Sequence, residues 1–225
     1  MKTIAIIPVK RFEDAKQRLA AAVPAGPRAA LAEAMFLDVI ASLKRSSRID
    51  ETLVVTADPT VARTARWLSA DVLDLEADNG HPADASAGVA EAIARKASRV
   101  ALLPADCPLI DAEEIDRHLG IAPRSALIIP DRHGTGTNGL ILAPPDIFAP
   151  GFGPDSCARH VSRARAAGVE FAVERIESLA LDLDTPEDLA QLRDALMLEP
   201  QRAPRTAQLI WEIGSDRETG APTAA

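Results

Sequence analysis

The sequence is poor in cysteine, having only Cys107 and Cys157 in 225 residues. Two thiols so spaced offer neither a disulfide framework nor a zinc site, and each reads as a small apolar filler near a strand or helix end. No apolar run approaches membrane-spanning length. Met1–Lys10 has too short an apolar stretch for a secretory signal and no small-residue cleavage region. The expectation is a soluble, cytoplasmic chain in a reducing compartment. Basic residues are in deficit, with 25 Lys and Arg against 33 Asp and Glu, a net charge of −8. That argues against a general nucleic-acid or membrane-surface binder, so an anionic ligand needs a local basic cluster. There is no internal repeat and no histidine-based metal motif. His81, His133 and His160 are scattered, His133 in a glycine loop where it can touch a ligand and His160 on a helix surface.

What is present is a regular alternation of buried strands and helices. Hydrophobic content of 47% with 26% charged residues is that of a globular chain. Strands are expected at Ile4–Val9, Leu53–Ala57, weakly at Val72–Leu75, at Arg99 onward, Ala126–Pro130, Leu140–Leu142, Phe171–Val173 and Leu181–Leu183. Helices are expected over Arg28–Arg45, from Asp58-Pro59 to Trp67, over Ser86–Lys96, from Asp111, over Ser156–Ala167, and from Thr185-Pro186 to about Leu196. This order implies an α/β fold with a mostly parallel central sheet and helices on both faces. One domain is expected over residues 1–198. The 199–225 tail, with Pro200, Pro204, Gly220 and Pro222, is expected to be loosely ordered. Leu209–Ile213 interrupts it with apolar residues that can dock on the body or on a second subunit.

The organising stretch is Arg99–Ile110. It is an apolar run that stops at Asp106, with Pro108 taking the chain out of the sheet. A carboxylate at the carboxyl edge of such a sheet suits a hard cation such as Mg²⁺, and a turn or cap acid is the alternative reading. Asp182 and Asp184 alternate about Leu183 at another strand end, so they point the same way and repel unless a cation lies between them. Lys10, Arg11, Lys16 and Arg18 follow strand one and can hold a triphosphate. Gly134–Gly139 carries Thr135, Thr137 and Asn138. Its glycines can let backbone N–H groups approach an anion, or it is a plain hairpin turn. Ser156 reads as an N-cap whose helix can receive an anion, with Asp155 opposing one.

Five ordered stretches carry a resemblance: Ile7–Lys10 with Ala15–Leu19, Pro104–Leu109, Gly136–Asn138, Phe152–Ser156 and Leu183–Asp188. Together they resemble the guanylyltransferases of coenzyme F420 biosynthesis, the CofC/FbiD family, over about residues 2–196. The resemblance implies a single-domain, glycosyltransferase-A-like (Rossmann-like) nucleotidyltransferase. It implies GMP transfer from GTP to phosphoenolpyruvate, 3-phospho-D-glycerate or 2-phospho-L-lactate, with release of pyrophosphate. It assigns Mg²⁺, in a two-metal site, to Asp106, Asp182 and Asp184. It assigns GTP to Lys10 and Lys16, with Arg18 beside them, and the acceptor phosphate to Thr137, Gly153 and Ser156, with Asn138 a further substrate-binding residue. Lys10, Lys16 and Asp106 are thus the expected catalytic residues. A downstream transferase of the F420 pathway and a second copy of the chain are the expected protein partners. The chain departs from the family where Gly80–Ser86 replaces a usual Gly-Leu-Asn, and at Asp155, where glycine is common. Rival readings are a molybdopterin-type nucleotidyltransferase, disfavoured because Pro8–Phe12 lacks a glycine-rich loop, a sugar-nucleotide glycosyltransferase, and a GTP-binding regulator without catalysis.

Overall fold

The structure is a computed structural model and describes residues 1–120 and 124–218. Seven strands form one sheet: β1 (Thr3–Pro8), β2 (Glu51–Thr56), β3 (Asp71–Asp74), β4 (Arg99–Leu102), β5 (Ser125–Pro130), β6 (Thr137–Ala143) and β7 (Glu170–Val173). Their order is β3-β2-β1-β4-β6-β5-β7. The first four pair parallel, β6 runs antiparallel between β4 and β5, and β7 returns parallel to β5. Seven helices accompany them among the described residues: α1 (Ala25–Leu43), α2 (Pro59–Trp67), α3 (His81–Ala94), α4 (Ala112–His118), α5 (Ser156–Ala166), α6 (Pro186–Leu198) and α7 (Pro204–Glu218).

The strands are apolar on both faces because both faces are covered. Along β1, Ala5 and Ile7 join one core with Phe36, Val39 and Ile40 of α1 and Val61 of α2. Ile4 and Ile6 point the other way, to Ala85 and Val89 of α3 and Cys157 of α5. α3 lies so close to the sheet that a Cβ on Gly88 would stand 2.5 Å from the Ile6 Cγ2. Any larger residue there has to displace the Ile6 and Val55 side chains or the helix itself. Three of the four caps read from the sequence hold: Asp58 accepts from the Thr60 and Val61 N–H groups, Asp111 from Glu114 N–H, and Thr185 with Asp188 forms a reciprocal box.

Three expectations change. β4 ends at Leu102 because Pro104, not Pro108, is the first residue that cannot donate, so Asp106 sits in the loop beyond the strand. Leu181–Leu183 adds no strand. It touches the Asp106 loop through a single backbone bond, Leu183 N–H to Asp106 O at 3.2 Å. Most of the expected loose tail is helical: α7 buries Ala207 and Ile210 beside Leu192 and Leu196 of α6 and Leu31 and Met35 of α1. The apolar run 209–213 therefore docks on the body.

The anchor of α7 is a carboxylate from another helix. Asp38 on α1 is 2% exposed. It accepts from Thr206 N–H and Thr206 Oγ1–H at 2.9 Å each, and from the Arg205 guanidinium at 3.2 Å. Removing it leaves helix-start donors without a partner inside the protein. Asp38→Ala is expected to lower unfolding free energy by about 1–3 kcal/mol in urea titrations, with Asp38→Asn losing less.

Candidate active site

β1 and β4 end side by side, and the site lies beyond their carboxyl ends. After β1 the chain makes two single-turn 3₁₀ helices, Phe12–Asp14 and Gln17–Leu19. Phe12 anchors the first against Phe36, ring centroids 5.7 Å apart. Lys16 links them in the left-handed region at φ 57°, a conformation costing an L-residue about 1–2 kcal/mol. This turns the side chain inward. Its ammonium, 7% exposed, is bonded to the Asp106 carboxylate and lies 3.1 Å from Asp184 Oδ1. Burial alone would lower the Lys16 pKa, but the charges of Asp106 and Asp184 outweigh it and the net shift is upward. The lysine is therefore charged at every working pH.

Two of the three expected acids, Asp106 and Asp184, meet at the Lys16 ammonium, and Asp182 lies near enough to feel the Asp106 charge without joining them. Asp184 is held from behind by Asp188, whose Oδ2 accepts from the Asp184 and Thr185 N–H groups at 3.0 and 2.7 Å. Arg132 closes on the other Asp188 oxygen at 2.5 Å. Asp182 accepts from Asn138 Nδ2 at 3.2 Å, and the same amide donates to Leu179 O at 2.8 Å. Burial, with the nearby Asp106 charge adding to it, pushes the Asp182 carboxyl above the usual range. Asn138, expected to bind substrate, thus directs its amide to the acid rather than outward. Arg18 is largely exposed and lies 3.5 Å from Asp184 Oδ2.

Among the described residues, no group of three or more His, Cys, Asp or Glu side chains is gathered as a metal cluster. Asp106 and Asp184 nonetheless aim oxygens at one cation, the Lys16 ammonium. Two hard oxygen ligands at one point fit Mg²⁺, which is commonly held by one or two carboxylates plus substrate phosphates.

A cleft of about 270 Å³ opens beside this centre, lined by Lys10, Phe12, Lys16, His81, Pro104 and Asp106 among others. Lys10 stands half-exposed at its mouth, 3.5 Å from Asp78. A larger groove of about 500 Å³ between α6 and α7 contains none of these residues. The sequence reading left His81 without a role. It opens α3 after Gly80, packs edge-on against Phe152 with centroids 4.9 Å apart, and burial lowers its pKa. The one sequence signal was the Gly80-His81-Pro82 departure from the family pattern.

Thr137, Gly153 and Ser156 lie on the β6–α5 side. Thr137 and Asn138 leave β6 on opposite faces. The glycine loop is closed by its own anion: Asp131 accepts from the Thr135 and Gly136 N–H groups at 3.0 Å each, and a Cβ on Gly136 would lie 2.6 Å from that carboxylate. These N–H groups do not await a ligand, and the hairpin reading holds. The N-cap of α5 is Asp155, at φ 54° and without a side-chain capping bond; Ser156 is the first helical residue and is buried. His160 is corrected outright. It is fully buried, bonded to Thr137 and Gly151. His133 is exposed and accepts from Arg132.

The family model "Guanylyl transferase CofC like" matches residues 3–198. The chain belongs to the CofC guanylyltransferase family. A phosphoenolpyruvate guanylyltransferase of Conexibacter woesei is 49% identical over 216 residues, covering 95% of this chain and 97% of that one. That coverage carries the match into α7. A 2-phospho-L-lactate guanylyltransferase of Methanothermobacter thermautotrophicus is 35% identical, covering 85% and 84%. A 3-phospho-D-glycerate guanylyltransferase of Phenylobacterium zucineum is 34% identical, covering 94% and 96%. Among solved structures, a nucleotide-diphospho-sugar transferase from Desulfovibrio desulfuricans superposes with a TM-score of 0.76 over 96% of each chain. At 21% identity that likeness concerns the fold alone. CofC membership sets aside the molybdopterin-type and sugar-transfer alternatives.

Burial first, then Arg163 and Arg159, lower the His160 pKa from 6.5 to about 4. A depressed histidine pKa means that the unfolded chain takes up the proton first as pH falls. The contribution of this group is complete above pH 6.5 and is lost by pH 4, a loss of up to about 3 kcal/mol. His160→Phe is expected to flatten the wild-type fall in unfolding free energy across that window, read by urea titrations at each pH.

Proposed function

We propose that the protein transfers GMP from GTP to a phosphorylated three-carbon acid in coenzyme F420 biosynthesis, with phosphoenolpyruvate as the foremost acceptor. The observation that carries this is the buried Lys16 ammonium clamped between Asp106 and Asp184 in the wall of a cleft that Lys10 also lines, in a chain of the CofC family. The 49% identity to a phosphoenolpyruvate guanylyltransferase supports the choice of acid.

The reaction joins two anions. A phosphate oxygen of the acid forms a bond to the α-phosphorus of GTP. The bond from that phosphorus to the bridging oxygen breaks, and its electron pair leaves with pyrophosphate. The nucleophile is already ionised, so no side chain has to act as a base. The chain's task is charge. Lys16 and Lys10 supply positive charge to the triphosphate and to departing pyrophosphate. Asp106 and Asp184, freed from Lys16 as it turns to phosphate, would hold Mg²⁺. A bound Mg²⁺ supplies Lewis-acid neutralisation at the α-phosphate. Asn138 holds Asp182 beside them, and Thr137, Gly153 and Ser156 receive the acid.

The test is pyrophosphate release from GTP and Mg²⁺ with each of the three acids in turn, coupled to the next enzyme of the pathway to trap an unstable product. Phosphoenolpyruvate is expected to support release, and no release with any of the three acids would overturn the reading. Asp106→Ala is expected to fold with wild-type circular dichroism and to lose at least about a hundredfold in rate, since several kcal/mol of transition-state stabilisation go with the carboxylate. Lys16→Met is expected to lose a comparable factor.

A further inference from the structure

Thr137 and the Gly151–Gly153 loop belong to separate parts of the chain, and one side chain joins them. His160, on the second turn of α5, is fully buried. Phe152 stands edge-on to its ring at 5.2 Å, and Phe148 packs on it at 6.2 Å between centroids. The Gly151 N–H donates to His160 Nε2 at 2.9 Å. A backbone N–H can only donate, so Nε2 carries no proton and the single proton of the neutral ring is on Nδ1. His160 Nδ1–H then donates to Thr137 Oγ1 at 3.0 Å. Burial beside Arg159 and Arg163 keeps the ring neutral, so this tautomer persists at working pH.

The consequence falls on Thr137. A hydroxyl whose oxygen already accepts a hydrogen bond is left with its own proton to give. Among the described residues the ring is the one side-chain partner of that hydroxyl. Phosphate offers acceptors and, when ionised, no donor, so a hydroxyl turned the other way would present it a lone pair. The same ring ties down Gly151, and the loop carbonyls are held as well: Arg159 donates to Gly151 O at 2.6 Å and to Pro154 O at 2.7 Å. The start of α5 is fastened to the glycine hairpin by Cys157 N–H to Thr135 O at 3.1 Å.

We propose that His160 is a positioning residue for the acceptor: it fixes the Thr137 hydroxyl as a donor toward the phosphate of the incoming acid and locks the Gly151–Gly153 loop beside it. This rests on the assignment of Thr137 and Gly153 to the acceptor.

Three substitutions divide the two bonds of the ring. In His160→Asn the amide nitrogen takes the place of Nδ1 and keeps the bond to Thr137. In His160→Gln the amide oxygen takes the place of Nε2 and keeps the bond from Gly151. His160→Phe keeps shape alone. In steady-state assays with GTP, Mg²⁺ and phosphoenolpyruvate, the Gln and Phe variants are expected to raise KM for the acid about tenfold or more, with KM for GTP within about twofold of wild type and the Asn variant within about threefold on the acid. Equal acid KM in all three variants, or acid and GTP constants rising together, overturns the proposal. On the wild-type protein, ¹⁵N NMR of the ring reads the tautomer independently of turnover. The Nδ1–H form is expected, and the Nε2–H form overturns the relay even if every variant unfolds. Wild-type protein with the expected tautomer but no turnover of any of the three acids refutes the functional assignment and the acceptor role with it. Turnover with unselective variants refutes only the inference about His160.

Discussion

Two carboxylates face one buried ammonium, and much of the site is arranged around that contact. Lys16 reaches Asp106 across 90 residues of sequence and Asp184 across 168. Each acid without the lysine would be a poorly compensated charge beside another, in a place only partly open to water. The lysine without the acids would be a buried ammonium with no counter-charge. The contact therefore fastens the loop after β1, the loop after β4 and the lead into α6 into one unit. It also makes the left-handed backbone at Lys16 tolerable, because the ion pairs offset that cost.

The supports behind the triad follow from the same need. Asp184 cannot be left mobile if it is to share a cation with Asp106. The capping box of α6 does this locally: Asp188 satisfies the backbone N–H of Asp184 while starting the helix. Arg132 reaches over from the β5–β6 hairpin to the same aspartate, so hairpin and acid move together. Asn138, on β6, holds Asp182. The antiparallel insertion of β6 between β4 and β5 is what brings the hairpin and Asn138 next to the acids, while Thr137 faces His160 on the other side of the strand. On the functional reading given above, the lysine keeps a cation's place until nucleotide and metal arrive, and then turns its charge to the phosphates.

Much of this was legible in the sequence. Strands buried on both faces show as unbroken apolar runs, and Asp58, Asp111 and Thr185 announce helix starts by local chemistry. Lys16 beside Asp106 followed from sheet-edge placement, whereas Asp184 was named by the family resemblance, since the strand expected at 181–183 is absent. What failed to show has physical causes. Periodicity says nothing of strand order, so β6 between β4 and β5 is invisible along the chain. Asp38 capping α7 from α1 is a tertiary contact, and proline-rich composition around it misleads. His160 lies on a helix with arginines at 159, 163 and 165, which reads as a solvated surface. Only the glycine turn folding over it and the flanking phenylalanines put the ring inside. Asp131 closing the glycine hairpin is likewise a side-chain choice that loop composition cannot reveal.

The central claim is that the point now held by the Lys16 ammonium is a place where a divalent cation and the triphosphate meet. Anomalous diffraction from crystals grown with GTP and Mn²⁺ tests it most directly. The account predicts a manganese peak bound by Asp106 and Asp184, with the Lys16 side chain moved onto phosphate oxygens. A nucleotide bound while Lys16 still grips both acids, with manganese elsewhere or nowhere, would contradict it.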